Sequence, residues 1–271
     1  MCVDCGCGLD PHKHDVTVNH SHDHHHHDHN HSHDHGHHHH HHNHDEIKDN
    51  PQIRVDIVQK ILAKNDAEAN HNRAHFDAHK VTCFNLMSSP GSGKTTTLEN
   101  LVDKLPLKFG VIDGDLETNR DADRLAAKGI WATQIQTGSA CHLDATMVHK
   151  GLHGYPYEET DIAFIENVGN LVCPASYDVG AHYNIVLLSV PEGDDKVAKY
   201  PVMFRQADLV VITKADTLEY FDFDVEKVKK EARKLKPYVP VILLNNKTGE
   251  GMDELVEWIM KKHKEHIEGL S

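Results

Sequence analysis

The segment Ser88-Ser89-Pro90-Gly91-Ser92-Gly93-Lys94-Thr95 closes a β-rich apolar run and opens a stretch of helix-forming residues. It matches the phosphate-binding pattern G-x-x-x-x-G-K-S/T except at its first position, where Ser88 stands for Gly. Gly91 and Gly93 let the backbone curl so that several N–H groups point at one anion. Lys94 brings a cation to the β- and γ-phosphates, and Thr95 offers a hydroxyl to Mg²⁺. The helix that follows presents its positive end to the phosphates. Ser89, Gly91, Ser92, Gly93, Lys94, Thr95 and Thr96 are therefore expected to bind nucleotide, with Lys94 also catalytic.

This loop belongs to α/β folds, and the rest of the chain agrees. Residues 81–87, 109–112, 131–136, 161–168, 184–190, 209–213 and 239–245 read as strands, most of them nearly all apolar, as strands buried on both faces are. Residues 95–104, 120–128, 143–149, 224–236 and 252–263 read as helices. A further helix, 52–69, is expected from the spacing of Ile53, Ile57, Ile61 and Leu62. This alternation predicts a mostly parallel sheet flanked by helices, in a P-loop domain over residues 51–271.

Residues 1–50 are of another kind. From His12 to His44 the chain is mostly His broken by Asp, Asn and Ser. It has too little apolar surface to offset its ordering entropy, so a disordered metal-binding tail is expected. Cys2, Cys5 and Cys7 place three thiols on one short segment, a pattern suited to Ni²⁺ or Zn²⁺ ligation. A six-His run at His37–His42 resembles an expression tag. The interleaved Asp and Asn and the preceding cysteines argue against one.

The formal charge of −14 argues against a nucleic-acid partner. No apolar run is long enough to span a membrane. The N-terminus lacks the basic and apolar regions of a secretory signal, and clustered thiols suit a reducing compartment, so a cytoplasmic location is expected.

Three further segments fall where a guanine nucleotide would need them. Thr213-Lys214-Ala215-Asp216 is similar to N-K-x-D, with Thr in the Asn position. The Asp216 carboxylate can accept bonds from guanine N1–H and its exocyclic amine, which adenine does not present, while Lys214 lies along the base. The loop Asn245-Asn246-Lys247-Thr248-Gly249 is placed to close over the base, through Lys247. Glu166 and Gly169, at the end of a buried strand and after it, sit where a switch loop senses the γ-phosphate: Glu166 by binding Mg²⁺ through water, Gly169 through its N–H. Asp115, ending the second strand, is the other candidate to hold Mg²⁺ or orient the attacking water. As single acids, Asp113, Asp115 and Glu166 also fit helix caps.

A second soft-donor group lies inside the domain. Cys141-His142 precedes a helix, and Cys173 follows Gly169 by four residues. Sulfur plus imidazole suits Ni²⁺ or Zn²⁺, and so few ligands per chain suit a site shared across a dimer. Movement around the γ-phosphate should move Cys173.

Together, Ser88–Thr97, Gly138-Ser139-Ala140-Cys141-His142-Leu143-Asp144, the run from Glu166 to Pro174, and Thr213–Asp216 resemble the HypB family of nickel-incorporation GTPases in nickel–iron hydrogenase maturation. The resemblance runs from about residue 52 to the C-terminus, and E-N-V-G-N-L-V-C-P favours it over the related urease GTPases. It implies a SIMIBI-class GTPase that hydrolyses GTP to GDP with Mg²⁺ and dimerises with GTP. It also implies a nickel or zinc site at Cys141, His142 and Cys173, with the family's Cys-x-x-Cys-Gly-Cys motif matched by Cys2, Cys5 and Cys7. The implied partners are a HypA-type accessory protein and the hydrogenase large subunit. The alternative is a nickel or zinc storage or detoxification protein with a secondary nucleotide domain.

Overall fold

β1 (Thr82–Ser88) is buried at every residue and pairs on both sides, with β4 (Ile162–Glu166) and β5 (Tyr183–Ser189). In this computed structural model, which describes residues 51–115, 120–138 and 140–270, four more strands complete the sheet. These are β2 (Phe109–Asp115), β3 (Trp131–Gln136), β6 (Leu209–Thr213) and β7 (Val241–Leu243). Their order is β3-β2-β4-β1-β5-β6-β7, and every pairing is parallel. The expected mostly parallel sheet is thus wholly parallel. The tail expectations, including Cys2, Cys5 and Cys7, lie outside the described residues, as does the side chain of Asp115.

Alternate residues of β1 feed opposite faces, as the strand period of two requires. Phe84 and Leu86 join Leu98 of α2 (Lys94–Leu101), Leu125 of α3 (Arg120–Ala127) and Ile259 on one face. Cys83 turns the other way, to Phe76 of α1 (Pro51–Ala78) and Val148 of α4 (Ala145–Leu152). Met87 joins a third cluster, with Phe204 and Val228. Those two residues belong to α6 (Pro201–Gln206), which follows the one-turn α5 (Lys196–Lys199), and to α7 (Val225–Leu235). The last helix, α8 (Met252–Gly269), carries Ile259. Burying each large apolar side chain contributes about 1.5–3 kcal/mol, which makes this three-layer core the main source of stability.

The sequence placed the first helix at 52–69, and the structure extends it to Ala78. Its second half is held by tertiary contacts that its polar sequence conceals. Asn65 and Asn72 are buried and bond to the backbone of residues 145, 178 and 179, while Arg73 donates from Nη2 to both carboxylate oxygens of Asp178. Ile61, one of the apolar residues that suggested the helix, is 40% exposed, whereas Phe76, in the half that the sequence did not assign, is fully buried. α5 and α6 were not foreseen, because each is too short to show a helical period.

Candidate functional site

All seven strands point their C-terminal ends to one edge of the sheet. At β1 the connections divide, β4 lying on one side and β5 on the other, which is where open α/β sheets form their ligand crevice. The P-loop occupies that point. Gly91 and Gly93 take φ of 71° and 94°, and Gly93 is the left-handed N-cap of α2. Lys94 curls back so that Nζ donates to Ser88 Oγ at 3.1 Å, and Ser88 Oγ in turn donates to Ser89 O at 2.7 Å. Ser88 therefore serves as an internal rest for the lysine.

Thr95 Oγ1 donates to Glu166 Oε1 at 2.9 Å, joining the start of α2 to the end of β4. Glu166 is almost fully buried, and its Oε2 accepts no hydrogen bond among the described residues. Burial pushes its carboxyl up, against the pull of Lys94 and the Thr95 hydroxyl. A buried, half-partnered carboxylate beside a threonine hydroxyl and a lysine fits a Mg²⁺–phosphate group. Beyond Glu166 the chain passes directly over the P-loop. A side chain at Gly169 would meet Pro90 Cα at 2.7 Å and Pro90 N at 2.8 Å, so only glycine allows this approach.

The segments expected to read guanine are tied to the same loop. Thr213 is fully buried and donates from Oγ1 to Ser92 O at 2.6 Å, so the residue in the Asn position of N-K-x-D braces the P-loop. Lys214 then takes a left-handed conformation, φ 57°, turning the chain toward Asp216. Asp216 pairs with Lys247 at 2.5 Å, and the hydrogen bond from Lys247 holds its carboxyl below the usual range. Asn246 Nδ2 donates to Thr97 Oγ1 at 3.0 Å, and Asn100 Nδ2 to Asn246 O at 2.8 Å, fastening the loop of Lys247 to α2.

The structure also brings the soft donors together. Cys141 Sγ lies 2.9 Å from Cys173 Sγ and 3.7 Å from His142 Nδ1, and the ligand atoms of all three fit within 4.8 Å of one another. His142 stacks on Tyr177 with ring centroids 4.0 Å apart, and burial lowers its pKa, keeping the imidazole neutral as a metal requires.

Two supporting residues escaped the sequence reading of roles. Glu192 Oε2 accepts from Ser92 Oγ at 2.7 Å and from Ser189 N and Oγ, bracing the P-loop from β5. Its signal was local, the capping-box spacing Ser189-x-x-Glu192. Asn167 is fully buried and accepts from Leu143 N at 3.1 Å while donating to Asn85 Oδ1 at 3.2 Å. It joins the end of β4 to the residue after His142. Nothing local in the sequence marks that contact.

Comparison with known proteins agrees with this geometry. The family model for the CobW/HypB/UreG nucleotide-binding domain matches residues 82–243. The chain is 48% identical over 231 residues to the hydrogenase/urease maturation factor HypB of Helicobacter pylori, covering 83% of this chain and 96% of that relative. It is 48% identical over 203 residues to the hydrogenase maturation factor HypB of Escherichia coli K12, covering 73% of this chain and 69% of the relative. A crystal structure of HypB from Helicobacter pylori in complex with nickel superposes with a TM-score of 0.73 at 50% identity, over 75% of this chain and 97% of that one. HypB from Archaeoglobus fulgidus gives 0.70 at 38% identity, over 74% and 100%. A P-loop braced from both sides, the loop after β4 crossing it and these relatives lead to one conclusion: the chain belongs to the CobW/HypB/UreG nucleotide-binding family and, within it, to the HypB hydrogenase maturation factors.

Proposed function

We propose that this chain is a GTP-hydrolysing nickel metallochaperone, which stores Ni²⁺ and inserts it into the large subunit of a nickel–iron hydrogenase. The observation that carries the reading is one short stretch, residues 166–173. It touches the nucleotide machinery at Glu166 and Gly169, the residue following His142 through Asn167, and Cys141 through Cys173.

In this reading Ser89, Gly91, Ser92, Gly93 and Thr96 line the phosphates, and Lys94 leaves Ser88 to neutralise charge that develops on the β- and γ-oxygens. Thr95, Asp115 and Glu166 would hold Mg²⁺, which would supply Lewis-acid stabilisation of the transferring phosphoryl group. A cation there would favour the ionised form of Glu166 and offset the cost of its burial. Gly169 N–H donates to the γ-phosphate. Loss of that phosphate releases residues 169–173 and shifts Cys173 against Cys141. Asp216 turns from Lys247 to the guanine edge, while Lys214 and Lys247 flank the base. Cys141, His142 and Cys173 hold nickel as cargo, Zn²⁺ being the competing ion, and Cys2, Cys5 and Cys7 with the His tract supply it. The chain works as a GTP-favoured homodimer in the cytoplasm, with a HypA-type accessory protein and the hydrogenase large subunit as partners.

Phosphate release from GTP and ATP in the presence and absence of Mg²⁺ tests the enzymatic half. Mg²⁺-dependent release from GTP alone is expected, and equal rates with ATP would overturn the guanine assignment. The His tract favours a second reading, nickel or zinc storage and detoxification. Deleting residues 1–50 separates the two. Delivery predicts lost hydrogenase activity that added nickel restores, whereas storage predicts nickel-sensitive growth with hydrogenase intact.

A further inference from the structure

Where α1 packs on α4, three imidazoles converge away from the site described above. His71 and His75 stand one helical turn apart on α1, with their Nε2 atoms 3.0 Å from each other. With His149 of α4 they offer ligand atoms that all lie within 4.8 Å. The His71 and His75 rings lie 5.2 and 5.9 Å from that of His149, centroid to centroid.

The neighbours of His149 decide which of its nitrogens is available. Asn72 is fully buried, and its Nδ2 donates to Ala145 O at 2.8 Å and Val179 O at 3.3 Å. Its Oδ1 is therefore the atom that faces His149 Nδ1, at 3.2 Å, with Glu68 Oε1 also 3.6 Å from that nitrogen. An amide oxygen and a carboxylate both accept, so Nδ1 carries the proton and Nε2 keeps its lone pair. This is the outer support that orients metal-binding histidines. Between His71 and His75, at most one hydrogen bond joins the two Nε2 atoms. A cation bound to both replaces it: metal–nitrogen bonds of about 2.0–2.1 Å put adjacent ligand nitrogens roughly 2.9–3.4 Å apart.

A second histidine group shows what a non-ligating arrangement looks like. His182 Nδ1 accepts the Cys83 N–H at 2.9 Å, so its Nε2–H must donate to Asp77 Oδ1, also at 2.9 Å. His266 reaches the same oxygen and uses its Nδ1 on Thr82 Oγ1. Those rings are occupied in a hydrogen-bonded lock that joins α1, β1, α8 and the residue preceding β5.

We propose that His71, His75 and His149 form a second metal site, which takes a borderline divalent cation such as Zn²⁺ or Ni²⁺ through imidazole nitrogen. A donor set without oxygen discriminates against Mg²⁺ and Ca²⁺. His153, the residue that caps the C-terminal end of α4, has its ring centroid 5.1 Å from that of His149 and stands near enough to contribute a fourth imidazole. Asn65 Oδ1 accepts from Ala145 N at 3.0 Å, so α1 already grips the start of α4. A cation at this site fastens α1 to the helix that directly follows Cys141 and His142. The site is independent of the nickel-delivery reading.

Residue-resolved labelling of the full-length protein with diethyl pyrocarbonate, read by mass spectrometry, isolates this site from the His-rich tail. Zn²⁺ or Ni²⁺ is added until labelling of the tail histidines stops falling. His71 and His149 are then expected to be protected, and Mg²⁺ is expected to protect neither. In His75→Gln the protection of both should be lost while the tail remains protected. His71→Gln, at an exposed position, should likewise remove protection from His149 and serves if the first variant folds poorly. Unchanged labelling of His71 with zinc, or full protection of His149 in a folded variant, would overturn the site.

Discussion

The two flanks of the P-loop are built on opposite principles. On the β6–β7 flank the protein satisfies itself: Thr213 bonds Ser92 O, Asn246 bonds Thr97, and Lys247 neutralises Asp216. On the β4 flank the contacts are close but incomplete. Glu166 is buried with one oxygen that has no partner among the described residues, Gly169 touches Pro90, and the Cys141 and Cys173 sulfurs stand 2.9 Å apart. A frame that is already bonded gains little from ligands beyond the base itself. A flank that buries an acid and gathers thiols changes when cations arrive. In the proposed function, the base side sets which nucleotide binds and the β4 side responds to its phosphates and to metal.

Substitutions on each flank should separate these roles. The largest effect is expected where the two flanks meet: Lys94→Ala should cut GTP hydrolysis by roughly 10²–10³-fold or more, as removal of a preorganised charge does. Nickel bound by the tail should be unaffected. Phosphate release and equilibrium dialysis measure the two, and an unchanged rate would remove Lys94 from the mechanism. On the frame side, Asp216→Asn should remove the charge-assisted bonds proposed to guanine, each worth about 1.5–3 kcal/mol, so GDP affinity should fall by one to two orders of magnitude or more. Calorimetry should show this with nickel binding at Cys141 and Cys173 intact.

Glu166→Gln should act in two directions. The half-maximal Mg²⁺ concentration for hydrolysis should rise about 10–100-fold, as when a supporting metal contact is lost. Without nucleotide the variant should melt higher at neutral pH. Burial raises the Glu166 pKa above its unfolded value, so its contribution to stability is present at low pH and lost as pH rises through the folded pKa. The wild-type melting temperature should therefore fall relative to the variant's on going from acid toward neutral pH. Parallel curves would show that the burial is not felt. The smallest effect is expected from Thr213→Val, which removes one buried hydrogen bond, about 1 kcal/mol, seen as a modest loss of stability with hydrolysis retained.

Much of this was legible in the sequence because it is local. The bounds of β3 and β6 were read as the structure has them, and the P-loop, Asp216, Glu166 and the Cys141–His142 pair lie within motifs of a few residues. β2 was read to end at Ile112, but pairing with β3 carries it to Asp115, an override of the poor strand propensity of Asp-Gly-Asp. Contacts between distant segments were hidden. Asn167 reaches Leu143, and Asn72 orients His149, across spacings that no periodicity encodes. The pair His71 and His75 was missed for a related reason. Asn70, His71 and Asn72 look like a helix end until the backbone groups that the asparagines serve are in view.

The central claim is that the nucleotide is felt by the soft-donor site through residues 166–173. The most direct measurement is nickel affinity of the full-length protein carrying Cys2→Ser, Cys5→Ser and Cys7→Ser, read by thiolate-to-nickel charge-transfer absorption. In that variant the band reports Cys141 and Cys173 without the tail thiols. Affinities with GDP and with a non-hydrolysable GTP analogue should differ by about 5–150-fold, the usual span of coupling between linked sites. Identical affinities in the two nucleotide states would contradict the account.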